Sequence, residues 1–283
     1  LEDLTMRYPV FAAVMAPDEV VGQPACIRAA FQLAEHLQGP LSVAVGALEL
    51  KAPVVLARAT VGGLVAAENK RNRDNAHAVC TLLEGSPRPA GTSLSCETVS
   101  GDLADLRHHF AMRARLNGFA ATQTSGRGDL IQPAIVETLL FESGRPVLVV
   151  PHDFDVALSF DTILVAWDGS HTAARALWNA LPVLQAAKQV VISSVTGEKD
   201  LGQTISSARI GEALAAVSIK ADARNLPMSA ATAAATLLEQ AKQISARLIV
   251  LGAYGHARWR EFVFGGVTRG MLGTSRLPLL MSN

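Results

Sequence analysis

Leu248-Ile249-Val250-Leu251 is a run of branched apolar residues that ends abruptly in Gly252-Ala253-Tyr254-Gly255. A strand made of such a run has no polar face, so both of its sides must be covered, and glycine at its exit lets the chain turn. Comparable runs recur at Val10-Phe11-Ala12-Ala13-Val14-Met15, Leu41 to Val45, Pro146 to Val150, Thr162 to Trp167 and Val190 to Val195. Between them the apolar residues fall at helical spacing. Ile27, Ala30, Phe31, Ala34 and Leu37 form one such stripe, closed by Gly39-Pro40. Ala173, Ala176, Leu177, Ala180, Leu181 and Leu184 form another, which Pro182 should bend or split. Strands alternating with helices imply right-handed crossovers and an α/β, Rossmann-like parallel sheet with helices on both faces.

Other segments fit the alternation less sharply. Lys51 to Ala90 carries a helix, with Gly62-Gly63 and Pro87-Arg88-Pro89 as punctuation around it. Leu94 to Val99 reads as a strand and Gly101-Asp102 as a helix start. Phe119 to Thr124 stands where a buried strand belongs although it is only lightly apolar; Ser125-Gly126-Arg127-Gly128 ends it, and a helix spans Ile131 to Glu142. In the second half, helices are expected over Gly202 to Val217 and Ala231 to Ile244, with a third strand at Ser218 to Ala223. His152 to Asp161 reads as a linker, giving two domains, 1–151 and 162–283, each with an open five-stranded parallel sheet.

The halves repeat one another. Ala114 to Gly128 overlays Ala241 to Gly255 without a gap, and Gly144 to Val150 overlays Ser275 to Met281 with a small shift. The repeat is far too long for a solenoid. In the second half the glycines continue as Gly252-x2-Gly255-x9-Gly265-Gly266, followed by helix-compatible Val267-Thr268-Arg269-Gly270-Met271-Leu272. Bare amides at such a helix N-terminus suit an anion. By the overlay, Ser125 stands opposite Gly252 and Pro133-Ala134 opposite Gly265-Gly266. Proline offers no N–H, so the first half is expected not to hold a phosphate this way.

This spacing resembles the adenine-nucleotide signature of the universal stress protein family, Gly-x2-Gly-x9-Gly-(Ser/Thr), with Gly266 in place of Ser or Thr. The tandem arrangement resembles two-domain members of that family, strongly from Thr162 to Ser282 and mostly in architecture from Tyr8 to Pro151. The resemblance implies ATP or another adenine nucleotide, with or without Mg²⁺, bound outside the carboxyl ends of the strands. It places Asp168 beside the nucleoside, led up to by Ala166 and Trp167, and the Val195 backbone against the adenine. Leu251, Gly252, Tyr254 and Gly255 would floor the sugar and phosphates; Gly265, Gly266, Val267 and Thr268 would receive the phosphate tail. Arg258 and Arg260 lie in the intervening loop, where Arg258 is a candidate phosphate contact. The resemblance further implies a stress or regulatory role, and a last strand whose edge, Leu277 to Met281, pairs either with the other half of the chain or across a homodimer.

Composition narrows the alternatives. Of 283 residues, 49% are hydrophobic and 18% charged, ample for a core and unlike a disordered chain. The formal net charge of zero argues against non-specific nucleic-acid binding. No apolar stretch reaches the roughly 18 residues of a membrane span, and the acidic Leu1-Glu2-Asp3-Leu4-Thr5 lacks the basic start of a signal peptide, so a cytoplasmic protein is expected. Cys26, Cys80 and Cys96 form no Cys-x-x-Cys pair and read as reduced thiols. His171 and His256 have no nucleophile at recognisable spacing, and the adjacent His108 and His109 cannot face the same way on a helix, so neither catalysis nor a metal site is expected. With no Walker lysine either, fast phosphoryl transfer is not expected. A slow ATPase using Asp168 to hold Mg²⁺, and a nucleotide-free interaction module, are the competing functions.

Overall fold

A computed structural model describes residues 7–51, 59–87, 91–126, 129–197, 205–254 and 266–283. The chain forms two compact units that divide between Arg145 and Pro146.

The first unit runs β1 (Val10–Met15), α1 (Ala25–His36), β2 (Leu41–Leu48), α2 (Ala59–Glu84), β3 (Leu94–Gly101), α3 (Leu103–Ala114), β4 (Phe119–Gln123) and α4 (Gln132–Glu142). Its strands lie in the order β3-β2-β1-β4, all parallel. The chain winds outward from β1 through β2 to β3, then crosses back to lay β4 on the other side of β1. Phe11, Ile27, Leu33, Leu83, Leu106, Phe110, Phe119, Ile135 and Leu139 are fully buried between sheet and helices. The lightly apolar β4 is indeed a buried strand. Small residues, Ala120 and Ala121, suffice there because α1 and α4 close over it.

In the second unit come β5 (Val147–Val150), β6 (Thr162–Ala166), α5 (His171–Asn179), α6 (Leu181–Leu184), β7 (Gln189–Thr196), α7 (Ser207–Ala215), β8 (Ala221–Pro227), α8 (Ala233–Gln243), β9 (Leu248–Gly252), α9 (Gly266–Thr274) and β10 (Leu279–Ser282). Pro182 does split its helix, standing in the first turn of α6. The strand order is β5-β10-β9-β6-β7-β8. All neighbours are parallel except β5 and β10, which pair antiparallel through Leu279↔Val149, Leu280↔Leu148 and Met281↔Val147. The five-and-five parallel arrangement therefore needs one amendment: β5 is compact with the second unit and covers the outer edge of β10, satisfying backbone groups that an edge strand leaves unpaired.

Other expectations shift for local reasons. Gly62 and Gly63 lie inside α2 instead of bounding it. Each costs a helix interior about 1 kcal/mol relative to alanine, which the buried face of Ala76, Val79 and Leu83 farther along the helix outweighs. The third strand of the second half begins at Ala221, because Ser218 adopts φ 65° and closes α7. Cys80 and Cys96 are not reduced thiols but a disulfide: the last turns of α2 run beside β3 and bring the two Cα atoms to 5.6 Å. Cys26 is the free cysteine, buried in α1. Among the described residues no helix is long and apolar enough to cross a membrane.

Among the described residues three helices end in a left-handed residue that is not glycine: Gln38 (φ 52°) after α1, Ser218 (φ 65°) after α7 and Ser245 (φ 54°) after α8. In each, the next amide reaches back to close the helix, as Gly39 N–H to Ala34 O at 2.9 Å, Ile219 N–H to Leu214 O at 2.9 Å and Ala246 N–H to Ala241 O at 2.8 Å. A β-carbon in this conformation is strained. Replacing Gln38, Ser218 or Ser245 with glycine should stabilise the protein by roughly 0.5–1 kcal/mol each after the unfolded-chain entropy is set against the relieved strain. The check is the urea midpoint, at unchanged slope.

Candidate functional site

In the second unit β6 has β7 on one side and β9 on the other, so the winding direction reverses at β6. At such a reversal the connecting helices leave to opposite faces and open a crevice beyond the carboxyl ends of the two strands. Ala166 and Leu251 are register partners at that rim, Ala166 also faces Ser193 on β7, and the Trp167 N–H extends the ladder to Ser193 O at 2.9 Å. Val195 follows on the same strand, half-buried. Ala166, Trp167, Asp168, Val195, Leu251, Gly252 and Tyr254 thus gather at one edge of one sheet.

The side chains differ in what they leave available. Asp168 Oδ1 accepts the Ser170 N–H at 3.0 Å, holding the turn into α5. Gly169 at φ 76° makes that turn, and Ser170 Oγ caps the helix by accepting from Ala173 N–H at 3.1 Å. The Asp-Gly-Ser string is a turn and cap first, and carries one further carboxylate oxygen at the rim. Trp167 is 4% exposed and its indole N–H donates to the Ile205 carbonyl at 2.6 Å, which leaves its backbone carbonyl for a ligand. Ser170, Thr172 and the Ile205 carbonyl were not anticipated as site-shaping groups. Ser170 was legible, since Ser three residues before the first apolar residue of a helical stripe, Ala173, stands where a cap is expected. The Ile205 contact left no trace in the sequence.

Gly252 has a steric reason to be glycine. A Cβ there would lie 2.5 Å from Ala173 N, 2.6 Å from Thr172 C and 2.7 Å from Thr172 Oγ1, so the exit of β9 presses on the first turn of α5. Beyond it Tyr254 adopts φ 60°, rare for a bulky residue. Its N–H donates to Thr268 Oγ1 at 3.4 Å. Thr268 is buried in the first turn of α9, and this contact ties the strand exit to the helix start. The Thr268 hydroxyl, expected to face a phosphate, is thus partly engaged in holding the rim together. Gly266 opens α9 and is exposed; a Cβ there would meet none of the described residues within 4 Å. Val267 follows it, half-buried. Gly255, Arg258 and Gly265, together with His256 and Arg260, lie outside the described residues.

The first unit is built differently at the corresponding rim. Asp129 Oδ1 accepts the N–H groups of Ile131 and Gln132 at 2.9 and 3.1 Å, so the start of α4 has its own carboxylate. Pro133 follows in the first turn. The buried Gln132 donates through Nε2 to Thr122 Oγ1 at 2.9 Å and to Gln123 O at 2.8 Å, stitching α4 to the end of β4. Over β1 and β2 the polar stripe of α2 does the same. Asn75 donates to the carbonyls of Pro17 and Asp18 at 2.9 Å, Asn72 to Leu48 O at 2.9 Å, and Asn69 both donates to Leu50 O and accepts from Leu50 N.

Comparison with known proteins gives these geometries a context. The universal stress protein family model matches residues 159–283. A universal stress protein from Archaeoglobus fulgidus DSM 4304 is similar in structure with a TM-score of 0.63 at 19% identity, over 96% of this chain and 98% of its own. A protein of unknown function from Pseudomonas aeruginosa PAO1 gives 0.57 at 17% identity over 98% and 93% of the two chains. A protein of Pseudomonas aeruginosa UCBPP-PA14, provisionally assigned to the universal stress proteins, gives 0.58 at 16% over 98% and 94%. No functionally curated protein matches the sequence. Residues 159–283 are a universal stress protein domain, and the first unit ahead of them carries a fold of the same kind.

Proposed function

We propose that the second unit holds an adenine nucleotide, ATP, ADP or AMP with or without Mg²⁺, at the rim of β6, β7 and β9, and that the protein is a cytoplasmic nucleotide-responsive regulator in a stress response. The observation that carries this reading is the pairing of a winding reversal at β6 with an α9 that starts in open space at Gly266, latched to the β9 exit through Thr268 and Tyr254. The Asp168 carboxylate oxygen that has no partner among the described residues suits a ribose hydroxyl. The backbone at Val195 suits the adenine edge, Leu251 to Tyr254 the floor, and the amides of Gly266, Val267 and Thr268 the phosphates. Gly255, Arg258 and Gly265 join them by family resemblance alone. The first unit is not part of this site in our reading, since Asp129 and the asparagines of α2 already occupy its rim.

A hydrolytic role would ask Asp168 to hold Mg²⁺, and the engagement of its Oδ1 in the α5 turn favours the ribose role instead. With β5 already paired to β10, the proposal needs no second copy at that edge.

Calorimetry with ATP, ADP and AMP should show saturable heat at one nucleotide per chain for at least one of them. Absence of saturable heat with all three overturns the reading, and steady phosphate release from ATP moves it to an enzyme.

A further inference from the structure

We propose that Cys80–Cys96 is a reversible thiol–disulfide site, open to low-molecular-weight thiols, whose state sets how firmly α2 is held across the strand ends of the first unit. The two cysteines join the longest helix of the unit to β3, which among the described residues pairs only with β2. Consecutive residues of β3 point to opposite faces. Cys96 accordingly meets α2, while Glu97 meets α3 through His109 Nε2 at 3.0 Å and Arg113 Nε at 2.7 Å. Cys80 is nearly buried on α2, whereas Cys96 is half-buried on the outermost described strand of the unit, which makes Cys96 the more accessible end of the bond. Cys26 cannot exchange with the pair: it is fully buried, and burial pushes its thiol up to about 12, leaving almost no thiolate.

The exchange balances with thiols alone. A thiolate attacks Cys96 Sγ, the Sγ–Sγ bond breaks, and its electron pair leaves on Cys80 Sγ, which takes a proton. A second thiolate then attacks the external sulfur of the mixed disulfide and releases Cys96. Two thiols become one disulfide, and the protein pair gains two electrons and two protons.

The consequence follows from the helix. The same α2 that carries Cys80 also carries Asn69, Asn72 and Asn75, which hold the chain leaving β1 and β2, with Arg73 paired to Glu49 at 3.0 Å beside them. Cutting the link removes the constraint on the short loop between Cys80 and Cys96, and opening of α2 should become about a hundredfold more frequent by ordinary loop-closure entropy.

Two measurements on the full chain test this. Protein equilibrated in graded glutathione buffers and then alkylated should shift in mass by two labels in a single transition, with Cys26 unlabelled until denaturation. Hydrogen exchange over α2, Ala16–Asp18 and Leu48–Leu50 should then be about a hundredfold faster in the reduced form, with the second unit unchanged. A bond that survives excess dithiothreitol in the native protein overturns reversibility. Labelling of both cysteines in oxidised glutathione overturns the site, and identical exchange in the two states overturns the coupling to α2. A Cys96→Ser variant should exchange like the reduced form and ignore glutathione; if it does not fold, the wild-type comparison decides alone.

Discussion

Gly252→Ala should destabilise the second unit by about 3 kcal/mol, near the upper end of ordinary overpacking, and lower its melting temperature by about 10 °C. The added methyl would stand 2.5 Å from Ala173 N and 2.6 Å from Thr172 C, backbone atoms of the first turn of α5 that no rotamer change can move. Relief would require β9 and α5 to separate. That separation breaks into the cap, since the same Ala173 N–H is bonded to Ser170 Oγ. The turn set by Asp168 is two residues before that cap, so nucleotide affinity should fall along with stability. Thermal unfolding followed by the fluorescence of the three tryptophans, Trp167, Trp178 and Trp259, measures the first effect. A melting temperature within a degree or two of the parent would mean that β9 and α5 are not in this close approach.

This result would also show why the glycine motif is an ambiguous signal. Read from the sequence, Gly252 lets the chain turn at the end of β9 and floors a ligand; in the structure it must also be small because the α5 backbone presses on it. The apolar runs were legible because a strand covered on both faces leaves no polar position to misread: β1 spans Val10 to Met15 as expected, and β6, β7 and β9 lie where their runs lie. Length and edges were less legible. α2 extends through Gly62-Gly63 because its stability comes from packing residues about four to six turns farther on, and a local reading sees only the glycines. The pairing of β10 with β5 was one of the two partners expected for the edge Leu277 to Met281, and only its antiparallel sense was unread; the Cys80–Cys96 bond joins cysteines without a spacing signature. The expected inability of the first half to hold a phosphate rested on Pro133. Beside Pro133 the structure places the Asp129 carboxylate, which accepts the Ile131 and Gln132 amides at the start of α4.

Asp129 suggests the second large effect, at Gly266. Gly266→Asp should abolish nucleotide binding, weakening it more than a hundredfold, while leaving the melting temperature unchanged or slightly raised. At the first position of α9 the side chain meets no steric opposition from the described residues. A carboxylate there is favourable to the helix by roughly 0.3–1 kcal/mol, and it competes for the same amides that the phosphate needs. Gly266→Ser should do the reverse. It restores the hydroxyl that the family spacing carries, and a hydrogen bond to a charged phosphate contributes roughly 1.5–3 kcal/mol, or about one to two decades of affinity. Because both variants occupy the same open position, a difference in their affinities reports on the sign of the ligand's charge rather than on packing. Calorimetry on the two proteins beside the parent is the measurement. Equal affinities across all three would place the anion away from α9, and the nucleotide assignment would lose the residues on which it stands.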